Sequence, residues 1–142
     1  MLALVAPEGE VLPGPLLWGH GIYLVPRKDR IFVGATVEEA GFDTMPSAHA
    51  RTWLLERAYA LLPCLKGWSI REHWAGLRPA SRDGMPIIGE SRTPGLFIAG
   101  GQYRNGILFA PALAEAVAQL ILKQEQTEDI SAFSPVRFDQ PA

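Results

Sequence analysis

The chain has almost no cysteine. Cys64 stands alone among 142 residues, so no internal disulfide can form. Neither Cys-x-x-Cys nor His-x-x-x-His spacing occurs, and His20, His49 and His73 are scattered, which leaves no zinc-like ligand set. This usage fits a reducing, cytoplasmic setting. A basic block is missing too. With 13 Lys and Arg against 15 Asp and Glu the net charge is −2, and nothing is built to displace counterions from a nucleic-acid backbone. The most membrane-like stretch, residues 106–122, is interrupted by Pro111, Glu115 and Gln119 and falls short of the ~20 apolar residues that cross a bilayer, so it reads as a buried helix. The first residues, Met1-Leu-Ala-Leu-Val-Ala-Pro7, lack the positive region and the length of a secretory leader, and no export is expected. There is no Gly-x-Ser-x-Gly elbow and no Gly-x-x-x-x-Gly-Lys phosphate loop. The only Gly-x-Gly, Gly19-His20-Gly21, has Leu24 where a dinucleotide fingerprint needs its third glycine.

What is present is an apolar chain of one domain's length. Hydrophobic residues make up 48% and charged residues 20%, against about 25% charged in an average soluble domain. Residues 2–6 read as a strand ended by Pro7 and a Glu8-Gly9 turn, and Pro13-Gly14-Pro15 as a connector, because its prolines cannot donate to a ladder. Ile22-Tyr23-Leu24-Val25 and residues 30–35, separated by Arg27-Lys28-Asp29, read as a hairpin. From Ser47, a candidate N-cap, the period changes: Leu54, Leu55, Ala58, Leu61 and Leu62 share one helical face up to Pro63. Residues 69–77 read as extended, with Trp74, Gly76 and Arg78 on one side. Asp83-Gly84 marks a turn. Leu96-Phe97-Ile98-Ala99 reads as a strand buried on both faces. A second helix is expected within residues 106–124, with Pro111 in its first turn or at a kink and alanines smoothing much of its surface. After Glu125 the chain turns polar and aperiodic.

Three features could carry chemistry. The first is the junction Gly100-Gly101-Gln102-Tyr103-Arg104-Asn105-Gly106 between that strand and that helix. Glycines there let a ligand approach the backbone, and the helix N-terminus offers unpaired N–H groups to an electron-rich group. An ordinary tight loop would have the same spacing. The second is Arg78, whose guanidinium fork suits a carboxylate and whose neighbour Gly76 leaves space, although a surface or salt-bridged arginine fits the pattern as well. The third is Tyr23, a pocket hydroxyl or a half-buried structural tyrosine.

Five segments together resemble the C-terminal half of the FAD-dependent glycine oxidases, members of the D-amino-acid oxidase superfamily that serve bacterial thiamine biosynthesis. They are Tyr23-Leu-Val-Pro-Arg27, Val33-Gly-Ala-Thr36, Trp74-Ala-Gly-Leu-Arg-Pro-Ala80, Asp83-Gly-Met-Pro-Ile-Ile-Gly89 and Gly95-Leu-Phe-Ile-Ala-Gly-Gly-Gln-Tyr-Arg-Asn-Gly-Ile-Leu108. The resemblance runs to about residue 126. Its Gly-Leu-Arg-Pro and Asp-Gly-x-Pro pieces are shared with D-amino-acid dehydrogenases, whereas Tyr-Arg-Asn-Gly-Ile-Leu points to the glycine oxidase branch. The resemblance implies that Arg78 grips the carboxylate of a small amino acid, glycine or a small D-amino acid, with Tyr23 and Arg104 assisting. It further implies that Gly101, Tyr103, Arg104, Asn105, Gly106, Ile107 and Leu108 face FAD. The implied reaction passes the α-hydrogen as hydride to flavin N5 without a protein acid or base, oxygen takes up the electrons as peroxide, and the imine hydrolyses to keto acid and ammonia. Gly21 and Gln102 depart from the bulkier or basic residues of relatives and leave substrate preference open.

The expected fold is α+β. Residues 1–92 would form a substrate-binding domain, a mostly antiparallel mixed sheet with a flanking helix. Residues 93–126 would be the closing strand, loop and helix of a Rossmann-like FAD-binding domain whose N-terminal part is missing, and 127–142 a tail. The partner would be that missing half or a second copy, with neither nucleic acid nor membrane involved. A non-catalytic truncated or split-gene module and a related flavin dehydrogenase are the competing readings.

Overall fold

A computed structural model of the chain describes residues 1–8, 10 and 14–139. Gly9 of the expected turn, Pro13 of the expected connector and the last three residues of the tail lie outside the described residues. The chain divides into two compact units, Met1–Leu77 and Arg78–Ala142. The strand that begins at Ile87 pairs with the strand that follows it, which places both in the second unit.

The first unit is a five-stranded antiparallel sheet in the order β2-β3-β4-β1-β5. Its strands are β1 (Leu2–Val5), β2 (Leu17–Gly19), β3 (Ile22–Arg27), β4 (Arg30–Gly34) and β5 (Ser69–His73). The expected hairpin is β3-β4, paired from Tyr23↔Gly34 to Arg27↔Arg30. Pro26 sits inside β3 rather than ending it: β2 pairs only with Ile22, Tyr23 and Leu24, so at Pro26 that side of the strand has no neighbour to lose a bond to. The Gly-x-Gly segment is a hairpin corner. Gly19 pairs with Ile22, and His20 (φ 51°) and Gly21 (φ 74°) both take the left-handed conformation that a two-residue turn requires.

Helix α1 (Ala48–Leu61) begins where the Ser47 hydroxyl accepts from the Ala50 N–H at 3.0 Å. It buries Ala50, Leu54 and Ala58. Alternation along the strands sends Leu2, Leu4, Ile22, Leu24, Ile31 and Val33 into the same core, which Leu65 and Trp68 complete. Each such aliphatic side chain contributes about 1.5–3 kcal/mol through its removal from water. β5 stops at His73, so the extended parity expected through residue 77 holds no further than Trp74. The Trp74 main chain still pairs with Met1, and its ring meets Phe32 edge-on at 5.6 Å. Cys64 is exposed, in a 3₁₀ turn at Pro63–Gly67.

The second unit contains β6 (Ile87–Glu90) and β7 (Phe97–Gly100), an antiparallel pair from Ile87↔Gly100 to Glu90↔Phe97, followed by α2 (Gly106–Leu122). Two expectations fail here for one reason. β7 is not buried on both faces, and α2, expected to be buried, has no buried residue at all. Their apolar character is real, but β7 has a single strand neighbour, and the β6-β7 ribbon with the residues after α2 covers that helix only in part. Pro111 lies inside α2, beyond its first turn, where its missing N–H leaves the Ile107 carbonyl without its helical donor. The residues after α2 are aperiodic in sequence yet fold into 3₁₀ turns at Ser131–Phe133 and Pro135–Asp139. No helix among the described residues is long and apolar enough to cross a membrane.

Candidate functional site

In the second unit the backbone brings Arg78 beside the glycine-rich junction. The Ala80 N–H turns back to the Arg78 carbonyl at 2.9 Å, and the Tyr103 N–H donates to the Pro79 carbonyl at 3.0 Å. Ala80 and Gln102 form an isolated antiparallel bridge. Arg78 is half-buried, and its guanidinium makes no hydrogen bond or ion pair among the described residues. A fork fixed by its backbone but free at its tip can receive a planar anion.

The junction itself is a tight turn. Gly101 takes a φ of 73°, and a Cβ there would stand 3.2 Å from the Met85 carbonyl oxygen, so glycine is required for two reasons. Tyr103 follows at φ 50°, and the Asn105 N–H closes back on the Gln102 carbonyl at 2.9 Å. Helix α2 then starts without a side-chain cap on Asn105. Among the described residues nothing accepts from the N–H groups of Gly106, Ile107 and Leu108, whereas the Phe109 N–H reaches the Asn105 carbonyl at 2.9 Å. These free donors and the helix's partial positive charge are directed at one place, where Arg104 is exposed and Ile107 and Leu108 keep 95% and 75% of their surface in solvent. A planar, electron-rich ring with carbonyl acceptors suits such a surface, so the residues present fit a flavin.

Tyr23 belongs to the first unit. Its ring lies across Gly34 of the neighbouring strand, so closely that a Cβ on Gly34 would come within 2.6 Å of the phenol oxygen, and that oxygen is 4.0 Å from the Met1 sulfur. Gly34 is the seat of the tyrosine. Sequence reasoning did not single it out, although an aromatic placed opposite a glycine in a hairpin was the available signal.

A second feature escaped the sequence entirely. Asp83, in the turn at 81–85, receives the Arg137 guanidinium through both oxygens, at 2.7 and 3.1 Å. That hydrogen bonding, aided by the Met85 N–H and the Ser81 hydroxyl against some desolvation, holds the Asp83 carboxyl far below the usual carboxylate range. Gln102 lines a cavity of about 440 Å³ with Ile88, Phe109, Leu113 and Phe133, and its amide nitrogen is buried without a partner among the described residues. No cluster of metal-ligating side chains occurs among the described residues.

Residues 2–120 match the model of the family described as FAD dependent oxidoreductase. The bifunctional protein ThiO/ThiG of Synechocystis sp. is 43% identical over 97% of this chain and 22% of its own length. The glycine oxidase of Pseudomonas putida is 41% identical over 89% of this chain and 35% of its own. The crystal structure of glycine oxidase from Geobacillus kaustophilus superposes with a TM-score of 0.79 at 35% identity, covering 94% of this chain and 36% of that one. The chain thus spans roughly a fifth to a third of the length of these relatives.

Proposed function

The chain belongs to the FAD dependent oxidoreductase family, and from that premise we propose that it is the C-terminal portion of an amino-acid oxidase of the glycine oxidase type. It would act with the nucleotide-binding portion that the longer relatives carry in addition. The observation that carries this reading is the hydrogen bond from the Tyr103 N–H to the Pro79 carbonyl. It holds the residue next to Arg78, the candidate fork for a substrate carboxylate, against the loop that leads into the open N-terminus of α2.

Arg78 would bind the carboxylate of glycine or a small D-amino acid in bidentate fashion, and the Tyr23 hydroxyl and Arg104 would help to hold it. When bound, FAD would supply the two-electron acceptor for the substrate's α-hydrogen, with oxygen, reduced to peroxide, as the final oxidant. The N–H groups of Gly106, Ile107 and Leu108 would stabilise negative charge that develops on an adjacent carbonyl, because fixed dipoles need no reorganisation at the moment of reaction. No side chain needs to act as acid or base if the amine is delivered neutral; orientation of the Cα–H bond is the protein's main contribution. The imine product hydrolyses to keto acid and ammonia. Residues 1–92, Arg78 among them, would serve substrate binding, and the strand, loop and helix within residues 93–126 would complete the nucleotide-binding domain.

The test is the visible spectrum of the chain with FAD, alone and with the N-terminal half of a close relative, before and after anaerobic glycine. Bleaching in the complemented sample supports the reading. A flavin-free sample under both conditions favours a non-catalytic module. In the complemented enzyme, Arg78→Ala should raise KM by about a hundredfold, the scale of a charge-assisted bidentate contact, with FAD retained; unchanged kinetics removes Arg78 from this role.

A further inference from the structure

Residues 121–139 follow the part of the chain that the family model matches, and as a sequence they offer only polar, aperiodic character. In the structure they are a strap pinned at three points. Near its start the Gln119 amide donates to the Thr127 hydroxyl at 2.7 Å and accepts from the Thr127 N–H at 3.1 Å. Near its end Arg92 pairs with Asp139 at 2.7 Å on an exposed surface.

The pin between them differs in kind. Arg137 keeps only 18% of its side-chain surface in solvent and has a partner for every nitrogen of its guanidinium. Nε and Nη2 take the two oxygens of Asp83, Nη2 also reaches the Met85 carbonyl at 3.1 Å, and Nη1 binds the Phe133 and Ser134 carbonyls at 2.7 and 3.2 Å. Exposed ion pairs contribute little as a rule, but a bidentate, carbonyl-linked guanidinium is the exception.

The Met85 carbonyl is where this pin meets the candidate site. It lies 2.6 Å from the Ser81 hydroxyl, and it is the atom that a Cβ on Gly101 would strike. Gly101 opens the loop through Gln102 and Tyr103, and Tyr103 is bonded to Pro79, next to Arg78. We propose that Arg137 is a positioning residue: by fixing the turn at 81–85 it sets the placement of the 101–105 loop, and through the Pro79–Tyr103 bond the placement of Arg78 toward the amino-acid carboxylate. This rests on the roles given to Arg78 and the loop under the proposed function.

The test compares Arg137→Ala and Arg137→Lys with Arg92→Ala, which releases the strap at its exposed pin only. In the chain itself, Arg137→Ala should speed amide hydrogen exchange at Met85 and Tyr103 by about tenfold, the worth of one charge-assisted hydrogen bond. Arg137→Lys, which keeps the charge without the fork, should give an intermediate rise, and it serves as the folded comparison if the alanine variant does not fold. Arg92→Ala should leave Tyr103 unchanged. In the flavin-loaded, complemented enzyme, Arg137→Lys should raise KM for glycine several-fold with kcat changed less than about twofold, a split that a general loss of folded protein would not produce. Faster exchange confined to residues 131–139 overturns the proposal, and so does faster exchange at Tyr103 with KM unmoved while Arg78→Ala still raises it. If Arg78→Ala itself leaves KM unmoved, the proposed function is what fails.

Discussion

The two helices make an instructive pair. α1 is the less apolar in sequence, yet it buries Ala50, Leu54 and Ala58; α2 is the more apolar, yet none of its residues is fully buried. The units that contain them differ in the same way. Met1–Leu77 holds every buried hydrophobic side chain of the described residues except Ile88. Hydrophobicity therefore sets what an element gains when covered, and the presence of a covering layer decides whether it collects that gain. A sheet wrapped on a helix supplies that layer in the first unit. In the second, a two-stranded ribbon does so only in part.

Paired substitutions can break this contrast. The largest effect is expected from Leu54→Ala, which should cost about 3 kcal/mol by emptying a fully buried site in the first unit. Leu108→Ala in α2, 75% exposed, should cost less than about 0.5 kcal/mol. All four tryptophans, Trp18, Trp53, Trp68 and Trp74, lie in the first unit, so denaturant titration followed by fluorescence reads that unit alone and circular dichroism reads both. Equal costs at the two sites would mean that α2 is covered in solution. A smaller effect should come from the caps: Ser47→Ala should cost about 1 kcal/mol, Asn105→Ala only a few tenths, because only Ser47 makes a capping bond. Thermal melts of both variants check this.

The smallest expected effect is a difference in acid sensitivity. Burial, then the N-terminal ammonium and Arg51, lower the pKa of His73 in β5 below its ordinary 6.5, partly opposed by Glu38. The unfolded chain then takes up the proton first, so the first unit should lose stability as pH falls below about 6.5. The second unit's Asp83 is also shifted downward, but from the carboxylate range. Its contribution is present above the ordinary carboxylate range and should be lost only in strong acid, as pH falls through the depressed folded value. Melting each unit between pH 7.5 and 5 separates them, and His73→Asn should flatten the first unit's profile.

Local signals in the sequence carried much of the fold. The polar turn around Lys28-Asp29 between two apolar runs announced the β3-β4 hairpin, and Ser47 the start of α1, because turns and caps depend on neighbours in the chain. The strand β2 was not legible: Leu17-Trp18-Gly19 is too short for a period, and its register comes from the left-handed His20-Gly21 corner. The exposure of α2 was misread because periodicity reports which face would be covered, not whether anything covers it. Of the candidate site, the resemblance pointed to Arg78 and the 101–108 loop, and the backbone joins their neighbourhoods through Pro79 and Tyr103. Arg137 was invisible, since an ion pair spanning residues 83 to 137 leaves no trace in local pattern.

The seat that Gly34 provides for Tyr23 has a practical meaning for engineering. A phenol resting on bare backbone is held at a height set by what is absent from its neighbour, and one methyl group at position 34 would lift the ring while leaving its chemistry intact. Position 34 is therefore a dial for the hydroxyl that can be turned without mutating the tyrosine itself. Under the function proposed above, a library that retunes the pocket has reason to begin there.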